Sequence, residues 1–312
     1  MRRLVMRWLF TAVPLVFGVS VLTFVLASLV PGDAARSILG INANPEQYEA
    51  LRKQLKLDQP LWTQYWHWLS RAVHGDFGRS IQSSDAVGHE LTTRLAVTLS
   101  LVGGAVLVSV VVGVALGVAS ALRGGVLGRV VDVASLLGLA VPSYWLGLVF
   151  VTLFAVKLQI FPATGYTSLG DSPVRWFEGL VLPVLTLGLA GTAPIAKQTR
   201  DGVLGELGRE YVTVLRARGL SERAIVFKHV LRNAATPVLS VAGLVVVGLF
   251  GGAVLAETVF VMPGLGGLAV SATATHDLPV IQGVAVVFTL LVVVVNLLVE
   301  IGYAALNPKV RT

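Results

Sequence analysis

Long apolar runs alternate with short polar stretches along this chain. Residues 8–30, 97–122, 130–156, 179–195, 238–260 and 283–306 are almost continuously apolar. About 20 helical residues cross the hydrocarbon core of a bilayer, so the pattern predicts six transmembrane helices. The first run exceeds the 7–15 apolar residues of a cleaved leader and reads as a retained span. Gly113 and Gly117 in the second span are four residues apart, a spacing that lets helices approach closely within one bundle. The third span is interrupted by Val141-Pro142-Ser143-Tyr144-Trp145, where the proline predicts a kink. The polar exception is residues 34–94. Within it, residues 45–57 read as a helix with Tyr48, Leu51 and Leu55 on one face. The aromatic cluster Trp62, Tyr65, Trp66 and Trp68 is expected to pack this small subdomain.

The stretch 209–237 sits between the fourth and fifth apolar runs and reads helix, break, helix. Tyr211, Val214, Leu215 and Arg218 recur at helical spacing. Gly219 stands where a left-handed residue ends a helix, Ser221 is placed to cap the next one, and Glu222 falls in its first turn. Ala224, Phe227, Val230 and Leu231 are expected to share an apolar face, with Arg223, Lys228 and Arg232 on other faces. Asn233 and Pro237 prepare entry into the fifth apolar run. A short amphipathic helix between membrane spans has nothing of its own to cross, so it is expected to dock onto a partner, a lipid surface or its own bundle.

Composition sharpens this picture. The chain is 55% hydrophobic and only 13% charged over 312 residues, against about 25% charge in a soluble domain. The net charge of +7 is carried by segments flanking the spans. Arg2, Arg3 and Arg7, then Arg123 and Arg129, then the basic residues of 197–232, then Lys309 and Arg311 assign those segments, and both termini, to the cytoplasm. That distribution argues against nucleic-acid binding. There is no cysteine, so cysteine chemistry is excluded. No Gly-x4-Gly-Lys-Ser/Thr phosphate loop, His-Glu-x-x-His or Gly-x-Ser-x-Gly occurs, and the five histidines are scattered over three loops. The chain is therefore expected to bind no cofactor or metal and to catalyse no reaction itself.

The segments Ala217-Arg218-Gly219-Leu220-Ser221 and Lys228-His229-Val230-Leu231-Arg232-Asn233-Ala234, through Pro237, resemble the cytoplasmic loop of ATP-binding-cassette (ABC) importer permeases. The match is with the B-type subunit of the dipeptide, oligopeptide and nickel permease family. Strings at 22–33, 57–66, 75–80 and 158–165 resemble the same family, and the likeness runs from Leu22 to Arg311. Thr213-Val214-Leu215 stands where the wider family carries Glu-Ala-Ala.

The resemblance implies an all-α integral membrane protein of the bacterial inner membrane. Residues 1–31 would form the first span, 32–96 an extracytoplasmic subdomain, 97–306 a five-helix permease core with its coupling loop at 197–237, and 307–312 a cytoplasmic tail. The implied function is ATP-driven, binding-protein-dependent import of di- or oligopeptides by alternating access. Nickel-chelate or glutathione import is the alternative, and a non-transporting scaffold or a lone secondary carrier are the competing classes. Implied partners are a second, homologous permease, two ATPase subunits or domains carrying ATP and Mg, an extracytoplasmic binding protein, and lipid. Coupling is assigned to Ala217, Arg218, Gly219, Leu220, Ser221, Glu222, Phe227, Lys228, His229 and Arg232. The path or gate is assigned to Pro142, Ser143, Tyr144, Glu257 and Glu300. The blander expectations are a carboxylate at headgroup level for Glu257 and a buried helix–helix polar contact for Glu300.

Overall fold

The computed structural model describes residues 2–30, 34–40 and 44–306. The elements among them are helical: α1 (Arg2–Leu29), α2 (Ala34–Leu39), α3 (Pro45–Gln54), α4 (Leu61–Ala72), α5 (Val87–Arg123), α6 (Gly125–Ala140) and α7 (Ser143–Phe150), which runs on as a π-helix, Val151–Lys157. Then come α8 (Pro173–Leu207), α9 (Glu210–Ala217), α10 (Glu222–Ala224), continued by a second π-helix, Ile225–Val230, and finally α11 (Leu231–Val259), α12 (Leu265–Ala274) and α13 (Leu278–Leu306). Residues 307–312, with the predicted basic tail, lie outside the described residues.

Five helical runs are long and apolar enough to span: Phe10–Leu29, Val87–Arg123, Pro173–Leu207, Glu222–Val259 and Leu278–Leu306. The predicted third span is instead broken in two. Pro142 has no N–H and pushes the residue before it out of helical geometry, so α6 ends at Ala140 and Pro142 becomes the extended N-cap of α7. The expected kink is a break. The predicted docking helix and fifth span, by contrast, are one continuous run of 38 residues, with Pro237 inside it. At 1.5 Å per residue, the 37-residue α5 is about 55 Å long and must project beyond a hydrocarbon layer of about 30 Å.

The chain divides into two compact units. One takes residues 1–97 and 263–293. Its core packs Val87 and Leu91 of α5 against Leu265, Leu268 and Ala272 of α12 and Val280 and Val284 of α13. Gly283 makes that approach possible, because a Cβ there would stand 2.9 Å from Leu91 Cδ1 and Val87 Cγ1. Tyr65 of α4 is buried against Phe17 and Phe24 of α1, edge to face, and its hydroxyl meets Ser20 Oγ at 2.8 Å. The aromatic cluster is thus split: Tyr65 packs as expected, whereas Trp62 and Trp66 are exposed. Asp277, at the head of α13, accepts from Ser80 Oγ at 2.5 Å and from the Ile81 and Gln82 N–H groups at 3.0 and 3.3 Å, which ties down the loop before α5.

The other unit takes residues 98–262 and 294–312. Its centre is α8, whose buried face includes Leu182, Leu187, Gly188, Gly191, Ile195 and Ala196. Close approach to α5 rests on small residues from both helices. A Cβ at Gly113 would lie 2.9 Å from Ile195, and one at Gly117 would lie 2.6 Å from the Ala196 carbonyl oxygen. The expected role of this glycine pair, packing within one bundle, is what the structure shows. Ser109 Oγ donates to the Gly188 carbonyl at 2.8 Å, and Ser240 of α11 meets Tyr303 of α13 through their hydroxyls.

Candidate functional site

The loop between α8 and α11 is built from the inside out. Its inward face carries Val212, Ile225, Val230 and Ala234, which pack with Val118 and Ala121 of α5 and Val203 of α8. Gly219 adopts φ +80°, the left-handed turn expected of it. Ser221 has extended backbone and caps α10 by accepting from the Ala224 N–H at 3.4 Å. Across this turn Arg216 donates to Glu222 through Nε at 2.6 Å and Nη2 at 3.2 Å. Both side chains are exposed, so the pair sets geometry more than stability.

A polar knot fixes the loop to the end of α8. Glu206 accepts from the Tyr211 hydroxyl at 2.8 Å and the Asn233 amide at 3.3 Å, and it pairs with Arg209 at 2.9 Å. Burial first, and then the Glu206 carboxylate, push the Tyr211 phenol above its ordinary value, which keeps it a neutral donor. A second cluster joins α6 to α8: the Arg200 guanidinium lies 3.1 Å and the Lys197 ammonium 3.4 Å from the Asp132 carboxylate.

The outward face differs from the expected one in one residue. Helical spacing places Phe227 with Val230 on the apolar face, yet it is 65% exposed. The cause is the π-helical turn Ile225–Val230, whose wider i→i+5 spacing stacks Ile225 over Val230 and turns Phe227 outward. Arg218, Glu222, Lys228 and Arg232 are exposed with it, as are Ala217, Gly219 and Ser221 around the turn, while Leu220 and His229 are half-buried. The result is an exposed aromatic among cations on a tightly packed base.

The path candidates do not share one environment. Pro142 and Tyr144 are exposed, Ser143 is half-buried, and the following turn packs Gly147 against Phe260, Thr186 and Val259. Glu257 is 1% exposed and accepts from Thr98 Oγ1 at 2.6 Å, so it is a buried polar contact between α5 and α11. Glu300 is exposed on α13 and is not the buried helix–helix contact expected. Sequence reasoning missed Thr98, Asp132 and the clamping role of Asp277. Each is a single polar residue whose partner lies far away in the chain. No group of three or more His, Asp or Glu side chains is placed to hold a metal among the described residues.

Residues 109–312 match the family described as binding-protein-dependent transport system inner membrane component, and residues 1–102 match the model of its N-terminal part. The chain belongs to this family. It is a permease component of an ABC importer, of the peptide and nickel branch, and a multi-pass inner-membrane protein. A putative peptide transport system permease protein of Brucella abortus (strain 2308) is 39% identical over 312 residues, 100% of this chain and 99% of that one. The glutathione transport system permease protein GsiC of Escherichia coli (strain K12) is 38% identical over 308 residues, 98% of each chain. In fold, the chain resembles one from the MetNI methionine ABC transporter in inward-facing conformations, with TM-score 0.56, 19% identity, and coverage of 70% of this chain and 96% of that one.

Proposed function

We propose that this permease imports di- or oligopeptides by alternating access and that loop 209–237 receives the drive from partner ATPases. The observation that carries this reading is the outward set Phe227, Arg218, Lys228 and Arg232, standing on a buried face and a polar knot. An exposed aromatic beside arginines is the composition of a protein-binding hot spot. The unbroken run from Glu222 to Val259 supports a lever: a push on Phe227 moves α11 as a rod and reaches Glu257 near its far end. ATP and Mg belong to the partners in this reading. A second permease subunit and an extracytoplasmic binding protein complete the assembly, and both termini are cytoplasmic. Pro142, Ser143 and Tyr144 are offered as gate residues because a broken helix frees backbone groups that a path can use.

The peptide assignment follows the names of the relatives, and glutathione, itself a tripeptide, is the second reading that GsiC favours. The test is to tag the chain, purify it gently and identify its companions, then measure uptake of labelled dialanine and glutathione in cells with and without it. An ATPase and a second permease are expected in the preparation, with uptake of one of the two solutes. Gly219→Val should insert normally and abolish uptake. Purification alone, with transport in liposomes lacking ATP, would replace this reading with a secondary carrier.

A further inference from the structure

The unit formed by residues 1–97 and 263–293 holds a cavity of about 460 Å³, within the size range of small-molecule sites. Its apolar wall includes Phe24, Leu57 and Phe77. Its polar lining is unusual. Gln282 of α13 is 1% exposed, lines the cavity, and has no hydrogen-bond partner among the described residues at either its amide oxygen or its amide nitrogen. The Trp68 indole Nε1 and the Gln59 side-chain oxygen are also buried without a partner among the described residues, and both residues line the same cavity. Buried polar groups are almost always paired, because leaving one unmet forfeits its hydration with nothing in return. Three residues lining one cavity thus hold four such atoms, two donor nitrogens and two acceptor oxygens, without a partner among the described residues. The charges are one-sided as well. Lys56, Arg71 and Arg79 line the cavity, with His67 beside them, and among the described residues no Asp or Glu does, although Arg71 is shared with Asp76 at 2.7 Å.

We propose that this cavity binds a small carboxylate that also carries an amide, with a short peptide's C-terminal end as its ligand. The Gln282 side chain offers one donor and one acceptor, which is what a peptide group needs to be met on both sides. Trp68 Nε1 adds a donor, and Gln59 adds an acceptor for a peptide or terminal N–H. The basic side chains then neutralise the carboxylate. The demand for an anion with an amide stands on the lining alone; the choice of a peptide rests on the import reading above. Nickel chelates and lipid phosphates lack the amide and leave Gln282 unmet.

The test uses the full chain in lipid nanodiscs, without binding protein, and equilibrium dialysis with labelled dialanine. Saturable binding is expected. N-acetylglycine should compete, whereas dialanine amide, which lacks the carboxylate, should compete at least about tenfold more weakly. Gln282→Leu should weaken binding about tenfold, the equivalent of one to two lost hydrogen bonds. Lys56→Ala, at an exposed position, should weaken it as well. Dialanine should raise the melting temperature of the wild type, and raise that of Gln282→Leu less at the same concentration. The proposal is overturned by no saturable binding, by equal competition from the amide, or by binding that both variants leave unchanged. Its failure is separable from that of the import reading: peptide uptake by cells with no binding here sinks the pocket alone, and binding here without uptake sinks peptide import alone.

Discussion

Glu257 shows how much one distant residue decides. A carboxylate at 1% exposure is costly unless donors meet it, and Thr98, 159 positions away, supplies one at 2.6 Å. Thr98→Val should therefore lower the melting temperature in detergent, at a cost of about 1–3 kcal/mol. Glu257→Gln should cost less, since an amide oxygen still accepts from Thr98. Equal effects would show that charge, and not the hydrogen bond, sets the cost. The glutamate was visible in the sequence as a charge within an apolar run; its burial was not, because nothing local marks Thr98 as its partner. Gly219 is the opposite case. Its φ of +80° is what its position between two helical patterns predicts, and a Cβ there meets nothing within 4 Å. Gly219→Ala should thus cost about 1 kcal/mol through backbone strain alone, and Gly219→Asn less, as thermal melts will show. Asp76 gives a pH signature. A hydrogen bond from Arg71, then one from the Gly78 N–H, hold its carboxyl below the ordinary 3.8. A depressed folded value stabilises above the unfolded pKa and is lost as pH falls through the folded one. Any stability gap between wild type and Asp76→Asn should accordingly be present near neutrality and close in acid below about pH 3.8. A gap that widens on acidification would contradict this.

Helix pairs, more than single residues, are where glycine spacing becomes structure. Gly117 faces the Ala196 carbonyl and Thr199 Cβ, both 2.6 Å from where a Cβ would stand. Both are held by helix backbone, so α5 and α8 must separate to admit a side chain. Gly117→Leu should destabilise by about 1–3 kcal/mol, measured by thermal unfolding. Gly103 of the same helix has nothing within 4 Å, and Gly103→Leu should leave the melt unchanged. A similar loss from both would overturn the packing account, since leucine is a better helix former than glycine and propensity alone would raise stability at both. The spacing of Gly113 and Gly117 was legible in the sequence, although their partner helix was not. Elsewhere, helical periodicity misled. A strict 3.6-residue count put Phe227 inward, and only a π turn, which no residue type announces, turns it outward. Pro142 and Pro237 illustrate the same limit. Both remove a backbone donor, yet one ends a helix and the other sits inside one. Packing decides between those outcomes, and the neighbours of each proline lie beyond any local window.

For the whole molecule the open physical question is where energy enters. The sequence has no phosphate loop, and the family is that of a membrane component. On the proposed reading, work arrives through a surface that another protein grips, and 209–237 combines exposed anchors with a base packed on α5 and α8. If Phe227 is the anchor, Phe227→Ala should weaken ATPase docking by about 2 kcal/mol or more, a loss typical of a central aromatic. The buried face of Ile225 and Val230 does not involve that ring, so the permease itself should melt normally. The variant should lose the ATPase during size-exclusion chromatography and lose peptide uptake in parallel, and Phe227→Leu should retain part of both. Lys228→Ala and Arg232→Ala, at exposed positions, should weaken docking in a salt-dependent way that Phe227→Ala does not share, because charge pairs are screened and apolar contact is not. If Phe227→Ala still co-purifies with a full complement of ATPase yet fails to transport, the loop does not hold the partner but transmits its motion. The rigid run from Glu222 to Val259 would then be the element to break next, with a glycine pair near Pro237.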